Sequence, residues 1–286
     1  MCQDCGCSIV DHKHEGHEGH SHEHSHGENS HEHHHEHSCG ESHDHSHAHH
    51  GDSHSHQEAH AHLHDNPQLN DAKTISVITK ILDKNNHEAG HNREHFNAHK
   101  VLCINLMSSP GSGKTALLES LSSLADFRFG VIEGDLETSK DAQRLQACGI
   151  AAHQIQTGSA CHLDAFMVHK ALHHLDMNAM DVCFIENVGN LVCPASYDVG
   201  SHLNIVLVSI PEGEDKIAKY PVMFRKADLI LFTKTDLLPY FEYDIAKEKE
   251  MARKLKPNVD ILEVSIKDAD SVKKVAQWIK FKMEMR

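Results

Sequence analysis

The stretch VLCINLMSSPGSGKTALLESL (101–121) decides the fold of this chain. It begins with an apolar, strand-like run, continues into SSPGSGKT (108–115) and enters a helical pattern. A strand, a glycine-rich turn, Lys-Thr and a helix in this order predict a phosphate-binding loop. The glycines let successive backbone amides converge on phosphate oxygens, and the helix N-terminus adds the positive end of its dipole.

The residues of this loop have separate expected roles. Lys114 reaches the β- and γ-phosphates, and the Thr115 hydroxyl binds Mg²⁺. Ser108 stands where the general pattern has its first glycine. The alternative is a glycine-rich turn without a ligand, and the order of strand, loop and helix favours nucleotide binding. The phosphates are then enclosed by Pro110, Gly111, Ser112 and Gly113.

Apolar runs alternate with helical patterns through the rest of the chain. Continuous apolar strands separated by helices indicate a parallel sheet that is covered on both faces. The sequence therefore predicts an α/β P-loop NTPase domain over 101–286, with a mostly parallel central sheet flanked by helices. Residues 66–100 are expected to form one or two helices that lead into it. The expected strands are 101–107, 129–135, 151–157, 182–188, 204–210, 229–236 and 261–266, and the expected helices lie near 114–125, 139–148, 161–175, 242–255 and 270–282.

Residues 1–65 differ sharply in composition from the remainder. They hold 22 of the 32 histidines and 13 Asp or Glu against one Lys, so −12 of the total net charge of −15 belongs to them. So few apolar residues cannot offset the entropy of ordering a chain, and we expect 8–65 to be disordered. Neutral imidazoles are metal ligands, and their dense, unpatterned spacing predicts several weak sites suited to nickel or zinc storage.

Several classes of function are disfavoured by composition. The sequence lacks a basic patch of the kind that binds nucleic acid. It also lacks an apolar run that approaches the roughly 18–20 residues of a membrane-spanning helix. The N-terminus lacks the pattern of a secretory signal. Nine cysteines, an odd and scattered set, do not predict a disulfide framework. We therefore expect a cytoplasmic protein without membrane insertion.

The stretch FTKTDLL (232–238) suggests which nucleotide binds. P-loop GTPases carry Asn-Lys-x-Asp here, and Lys234 and Asp236 match this pattern while Thr233 replaces the asparagine. The aspartate accepts hydrogen bonds from two guanine donors that adenine lacks, so guanine is favoured over a simple turn aspartate. The base edge is then enclosed by Ser265, Ile266 and Lys267.

Two acidic residues follow strands between these motifs. Asp135 ends the predicted strand 129–135, and Glu186 precedes Gly189 in FIENVGN (184–190), which is like the Asp-x-x-Gly switch of GTPases. Either acid can hold Mg²⁺ or orient the attacking water, and together with Lys114 they are the catalytic candidates. The alternative for each is a helix cap or a loop carboxylate.

Three cysteines at the N-terminus, Cys2, Cys5 and Cys7, lie close enough in sequence to converge on one ion. Thiolate-rich sites suit Zn²⁺, Cu(I) or Ni²⁺. The alternative is a redox Cys-x-x-Cys pair, which usually begins a helix of a thioredoxin-like fold. No such fold is predicted, so metal binding is favoured.

A further metal site is predicted where Cys161 and His162 precede a helix and Cys193 follows the loop of Gly189. Release of the γ-phosphate is expected to shift this loop and thus a metal ligand. The alternative is that these cysteines only pack in the core, as is expected of Cys103, Cys148 and Cys183. His87, His91, His95 and His99 recur every four residues, and a solvated helix face is the favoured interpretation.

Taken together, these motifs resemble the hydrogenase nickel-incorporation GTPases (the HypB family) over residues 1–7 and about 90–286. The likeness is carried by CQDCGC, NLMSSPGSGKT, VIEGD, TGSACHLDA, FIENVGNLVCPASYD and EGEDKIAKYPVMF. In that family Ser-Ser-Pro begins the phosphate loop, as here. The resemblance implies slow GTP hydrolysis to GDP, homodimerisation, and delivery of Ni²⁺ to the large subunit of [NiFe]-hydrogenase with a small zinc-containing partner (HypA-like).

The resemblance also assigns the metal ligands. It implies that Cys2, Cys5 and Cys7 form an N-terminal nickel site. It makes Cys161, His162 and Cys193 a site for nickel or zinc at the dimer interface. The urease nickel GTPases are the nearest alternative family. They carry Cys-Pro-His in a single motif, whereas Cys161-His162 and Cys193-Pro194 lie in two separate loops here. A storage and buffering protein whose nucleotide site is structural is the alternative of another class.

Overall fold

The computed structural model describes residues 71–135 and 140–286. The predictions for Cys2, Cys5, Cys7 and the histidine-rich tract 8–65 lie outside the described residues. Within the described part, no helix combines the length and apolarity needed to cross a membrane.

Helices and strands alternate along the described chain after one long leading helix. The strands are β1 (Leu102–Ser108), β2 (Phe129–Asp135), β3 (Ala151–Gln156), β4 (Val182–Glu186), β5 (Leu203–Ser209), β6 (Leu229–Thr233) and β7 (Asp260–Val264). The helices are α1 (Ala72–Ala98), α2 (Lys114–Leu124), α3 (Lys140–Ala147), α4 (Ala165–Leu172), α5 (Lys216–Lys219), α6 (Pro221–Lys226), α7 (Ile245–Leu255) and α8 (Ala269–Glu284). Short 3₁₀ helices cover Met177–Ala179, Cys193–Ala195, Ile210–Glu212 and Thr235–Tyr240.

The seven strands form one sheet in the order β3-β2-β4-β1-β5-β6-β7. Every neighbouring pair is parallel, which confirms the predicted α/β fold. Parallel strands end at the same edge, so the ends of β1, β2 and β4 bring Ser108, Asp135 and Glu186 to one side of the sheet. The functional residues therefore gather at the carboxyl edge.

The sheet is buried on both faces, which explains its continuous apolar strands. On one face Leu117, Leu121 and Ile279 bring α2 and α8 onto the core. On the other, Phe96 and Val168 bring α1 and α4 onto it. Helices α6 and α7 complete a third cluster beside β5 and β6.

Helix α1 is continuous through Gly90 and is held by two buried amides. Asn85 accepts a hydrogen bond from the Ala165 amide (2.9 Å), and the Asn92 side chain donates to the Ala165 carbonyl (2.8 Å). A buried amide that is fully hydrogen-bonded positions a helix more specifically than apolar contact does. These bonds fix α1 against the first residue of α4.

Four predictions at the level of single elements need correction. The strand predicted to reach 236 ends at Thr233, because Lys234 has a left-handed backbone (φ 59°). The helix predicted from 161 begins at Ala165, where the Asp164 side chain caps the amide of Met167. Helices α5 and α6 were not predicted. Cys148, expected in the core, is exposed at the end of α3.

Candidate functional site

The loop between β1 and α2 has the backbone that phosphate binding requires. Gly111 (φ 73°) and Gly113 (φ 98°) adopt left-handed conformations that favour glycine. Lys114 is buried, and its Nζ donates to the Ser108 hydroxyl at 3.2 Å. The loop forms one wall of a cleft of about 470 Å³.

Thr115 and Glu186 join the phosphate loop to the neighbouring strand. The Thr115 hydroxyl donates to Glu186 Oε1 at 2.7 Å, and both side chains are buried. The register of β1 and β4 places Glu186 opposite Leu106, two residues before the loop. Burial raises the pKa of Glu186. Asp135 lines the same cleft from the end of β2.

The acidic side of the cleft fits a hard divalent cation. Among the described residues, Glu133 Oε2 and Glu186 Oε2 are buried and lack a hydrogen-bond partner. Carboxylate and hydroxyl oxygens are the ligands that Mg²⁺ prefers. The oxygen ligands of Thr115, Asp135 and Glu186 therefore suit the Mg²⁺ ion that accompanies a nucleoside triphosphate.

Glu133 is a site residue that sequence reasoning missed. It faces Glu186 across the β2–β4 pair, and burial followed by repulsion from Glu186 and Asp135 raises its pKa to about 8. The only signal in the sequence was an acidic residue inside an apolar strand. Its partner depends on strand register, which a single sequence does not reveal.

The loop after β6 approaches the phosphate loop from the other side. Thr233 Oγ1 donates to the Ser112 carbonyl (2.7 Å), and Lys234 Nζ donates to the Gly111 carbonyl (2.8 Å). Thr233 thus connects β6 to the phosphate loop from the place where the GTPase pattern has asparagine. These two hydrogen bonds therefore connect the loop after β6 to the phosphate loop.

Asp236 lies in a small pocket between this loop and α2. Its carboxylate is bound by Lys267 Nζ (2.9 Å) and by the Ser265 hydroxyl (2.7 Å). Lys267 and then Ser265 lower the pKa of Asp236, so it is an anion at neutral pH. Ile266, which is exposed, also lines this pocket.

Glu212 is a second residue that the sequence did not single out. Its Oε1 accepts from the hydroxyls of Ser112 and Ser209, each at 2.6 Å. Although burial opposes ionisation, hydrogen bonds from Ser109, Ser112 and Ser209 lower the pKa of Glu212. This carboxylate therefore anchors the centre of the phosphate loop.

Cys161, His162 and Cys193 come together although they lie on separate loops. Their ligand atoms all lie within 4.8 Å of one another. The two sulfur atoms are 2.9 Å apart, and Cys161 Sγ is 3.9 Å from His162 Nδ1. The His162 ring stacks on Tyr197 with centroids 3.9 Å apart. Two thiolates and an imidazole suit Zn²⁺ or Ni²⁺.

One segment, 186–193, connects this cluster to the nucleotide cleft. It begins at Glu186 and ends at Cys193. A Cβ added at Gly189 would lie 2.8 Å from Pro110 Cα, so the segment runs directly against the phosphate loop. Asn187 Oδ1 accepts from the Leu163 amide at 3.1 Å, immediately after His162. Both loops that carry the candidate metal ligands are therefore in contact with residues beside the phosphate loop.

A sequence model described as "CobW/HypB/UreG, nucleotide-binding domain" matches residues 102–263. The chain belongs to this CobW/HypB/UreG family. It is 54% identical over 222 residues to the hydrogenase/urease maturation factor HypB of Helicobacter hepaticus, covering 76% of this chain and 91% of that protein. It is 45% identical over 215 residues to the hydrogenase maturation factor HypB of Escherichia coli K12, covering 74% of each.

Solved structures of the CobW/HypB/UreG family agree with the fold. The crystal structure of HypB from Helicobacter pylori in complex with nickel has 44% identity and a TM-score of 0.70, covering 71% of this chain and 96% of that one. HypB from Archaeoglobus fulgidus has 34% identity and a TM-score of 0.66, covering 71% of this chain and all of that one. The chain is thus a P-loop nucleotide-binding protein of a family that includes hydrogenase maturation factors.

Proposed function

We propose that this protein is a GTP-hydrolysing nickel metallochaperone that stores Ni²⁺ and delivers it for maturation of [NiFe]-hydrogenase. The observation that carries the proposal is the segment 186–193, which contacts the phosphate loop and ends at a metal-ligand cluster. Nucleotide state then sets the geometry of the metal site. The likeness to HypB maturation factors, one of them solved in complex with nickel, supports the same metal and the same maturation role.

In the nucleotide cleft the chain provides charge and position. The amides of the phosphate loop and Lys114 bind the β- and γ-phosphates, and Asp135 or Glu186 orients the attacking water. When bound, Mg²⁺ neutralises phosphate charge, and Thr115, Asp135 and Glu186 would hold it. Arg144 lines the cleft, but its guanidinium is bound to Glu119 and Asp141. We therefore expect slow GTP hydrolysis, because Arg144 is held by these carboxylates. An arginine that contacts the transferred phosphate accelerates hydrolysis roughly 10³–10⁵-fold.

Guanine selectivity is assigned to the anionic Asp236. Its two carboxylate oxygens can accept from the N1 and N2 donors of guanine, while Lys267 and Ser265 keep it ionised and oriented. An adenine in this place leaves the carboxylate without those donors, which costs affinity.

The metal is cargo, and we assign three regions to it. Cys161, His162 and Cys193 form the site in the nucleotide domain (101–286), which accepts nickel or zinc. Residues 1–7 form a cysteine motif, 8–65 a storage tract and 66–100 the helical lead-in. We infer a homodimer that meets at the metal loops, a HypA-like zinc-containing partner and the hydrogenase large subunit as recipient.

The proposal is tested by nickel affinity in two nucleotide states. The full-length chain is loaded with GDP or with a non-hydrolysable GTP analogue, and tight nickel binding is measured against a chelating competitor. We expect a difference of tenfold or more that Cys193→Ala abolishes, while Cys148→Ala, an exposed cysteine elsewhere, leaves it intact. Equal affinities in both states would refute coupling between nucleotide and metal.

Two alternatives have their own tests. A storage protein with a structural nucleotide site predicts that Lys114→Ala is silent when nickel is in excess, whereas our proposal predicts loss of hydrogenase maturation even then. The H. hepaticus relative is named as a maturation factor for urease as well as for hydrogenase. Assaying both nickel enzymes in a strain that depends on this chain separates these recipients.

A further inference from the structure

Two helices that pack together each carry a pair of histidines along one seam, outside the nucleotide cleft and the Cys161 cluster. His95 lies on α1 and His99 follows its end, while His169 lies on α4 and His173 follows its end. The helices are in contact here, since His169 Nδ1 is 3.1 Å from the Asn92 side-chain oxygen, three residues before His95. We call His95, His99, His169 and His173 the seam histidines.

Each helix supplies a pair of rings at a spacing that suits chelation. The ring centroids of His95 and His99 are 4.6 Å apart, and those of His169 and His173 are 5.2 Å apart. With metal–nitrogen distances of about 2.0–2.1 Å, two imidazoles on one ion have centres about 4.5–5.2 Å apart at tetrahedral to right-angle geometry. Residues four apart on a helix are neighbours on its surface, so little backbone change is needed.

Hydrogen bonds already select the ligand tautomer in two of the four rings. His99 Nδ1 donates to the His95 carbonyl at 2.9 Å. His169 Nδ1 lies 3.0 Å from Glu88 Oε1, an acceptor, besides its contact with Asn92. The proton is thus on Nδ1 and the Nε2 lone pair remains available to a metal ion. In protein metal sites, a ligating histidine commonly donates its other ring N–H to a carboxylate.

His95 also lies within electrostatic range of both histidines that α4 supplies. Burial, followed by repulsion from His99, His173 and His169, lowers the pKa of His95. The unprotonated imidazole that results is the form that binds metal.

We propose that the seam histidines form a further metal site, which takes Ni²⁺ or Zn²⁺ and joins α1 to α4. The inference goes beyond the proposed function, because it needs neither nucleotide nor a hydrogenase. In the described part of the chain, only Cys161, His162 and Cys193 already have three ligand atoms within 4.8 Å of one another. The seam histidines must therefore rotate their side chains to converge on one ion, and we expect them to bind it more weakly than the thiolate cluster does.

The test is a nickel titration of the full-length chain with Ni²⁺ alone, read by acylation of histidines with diethylpyrocarbonate and mass spectrometry of each peptide. We expect the four seam histidines to be protected at least fivefold and with one common midpoint. His87 and His91, with ring centroids also 4.6 Å apart on α1, are an internal control for chelation by a helix pair alone. Protection of that pair at the same midpoint would overturn the role of α4.

Two variants distinguish a shared ion from two separate ones. His173 is exposed, so His173→Gln leaves the packing intact, and it should raise the nickel midpoint of His95 and His99 about tenfold. Glu88→Gln keeps every ligand but removes the carboxylate behind His169, and a rise in the same direction is expected. An unchanged midpoint at His95 and His99 in His173→Gln, or the absence of protection at any nickel concentration, would overturn the proposal.

Discussion

The side-chain oxygen of Asn187 accepts a hydrogen bond from the backbone amide of Leu163 at 3.1 Å. Asn187 follows Glu186, the partner of Thr115, and Leu163 follows the metal-ligand candidate His162. This bond connects the loop of His162 to the end of β4, and under the proposed function it would pass a displacement of β4 to the Cys161, His162 and Cys193 cluster.

Replacing Asn187 with Ala should uncouple nickel affinity from nucleotide state. The ratio of nickel affinities in the GDP and GTP-analogue forms is expected to fall towards one, because the Leu163 amide loses its partner. The free energy of unfolding should fall by about 1–3 kcal/mol, as for other buried polar groups left unpaired. Asn178→Ala, on an exposed turn, is the matched control. An unchanged affinity ratio would assign the coupling to another contact.

Adding a methyl group at Gly189 should weaken nucleotide binding. Its Cβ would lie 2.8 Å from the backbone of Pro110, so Gly189→Ala must displace the phosphate loop or the segment 186–193. We expect GDP affinity, measured calorimetrically, to fall tenfold or more. Gly90→Ala meets no atom within 4 Å and should instead stabilise α1 by up to about 1 kcal/mol. Full GDP affinity in Gly189→Ala would show that the two segments separate freely.

Thr233→Val keeps the shape of the side chain but removes its hydrogen bond to the Ser112 carbonyl. That 2.7 Å bond joins β6 to the phosphate loop, and its loss should lower nucleotide affinity by about 1 kcal/mol, or roughly fivefold. Thr233→Ser retains the hydroxyl and should bind as the parent does. A loss of affinity in Thr233→Ser, with none in Thr233→Val, would indicate that the methyl group and not the hydrogen bond matters.

Asp236→Asn should change the preferred base. A carboxylate pairs with the two donors of guanine, whereas an amide also offers a donor that suits the 2-oxo group of xanthine. We expect GDP affinity to fall at least a hundredfold while xanthosine diphosphate affinity rises, measured by competition in one assay. If both nucleotides weaken equally, Asp236 does not contact the base.

His202 should make stability depend on pH. Burial, followed by repulsion from Arg286 and Arg93, lowers its pKa to about 4, and Nδ1 accepts from the Cys103 amide at 2.9 Å. Between the unfolded value near 6.5 and about 4, the unfolded chain binds a proton that the folded chain does not, so stability falls as pH falls. After allowance for solvent screening, this loss is about 1 kcal/mol between pH 7 and pH 5.

The measurement is chemical unfolding at both pH values, with His202→Asn as the comparison. The Asn oxygen can replace Nδ1 as the acceptor for Cys103 but does not titrate. Its stability should therefore fall less between pH 7 and pH 5 than that of the parent. An equal fall in both proteins would mean that His202 titrates normally.

The strands and the phosphate loop could be predicted because local patterns determine them. Most of the strand runs are apolar, although β3 and β7 also carry polar residues, and Lys114 and Thr115 are specified by their place at the start of α2. Helices α5 and α6 escaped prediction because Pro221 divides a short segment into pieces of four and six residues, too brief for a helical period. Gly90 lies inside α1, yet tertiary hydrogen bonds from Asn85 and Asn92 outweigh the low helix propensity of glycine.

The site residues that were missed depend on contacts between distant segments. The pKa of Glu133 is raised first by burial and then by Glu186, which the pairing of β2 with β4 brings beside it. Glu212 belongs to the site because the Ser112 hydroxyl reaches it. His95 and His99 formed a visible repeat, but the repeat could not reveal that α4 brings His169 and His173 to the same seam. Sequence spacing specifies chemistry within one element, while pairing between elements requires the fold.

The burial of the Cys161 cluster bears on how quickly a bound ion can leave. His162 and Cys193 are only 7% and 2% exposed, and Cys161 alone is more open to solvent. For an ion held there as proposed, two of the three ligands are shielded from an external chelator until the loops move apart, so we expect loop opening to set the rate of exchange. Increasing the chelator should speed release only to a plateau, and the height of that plateau would measure the opening rate of the protein itself.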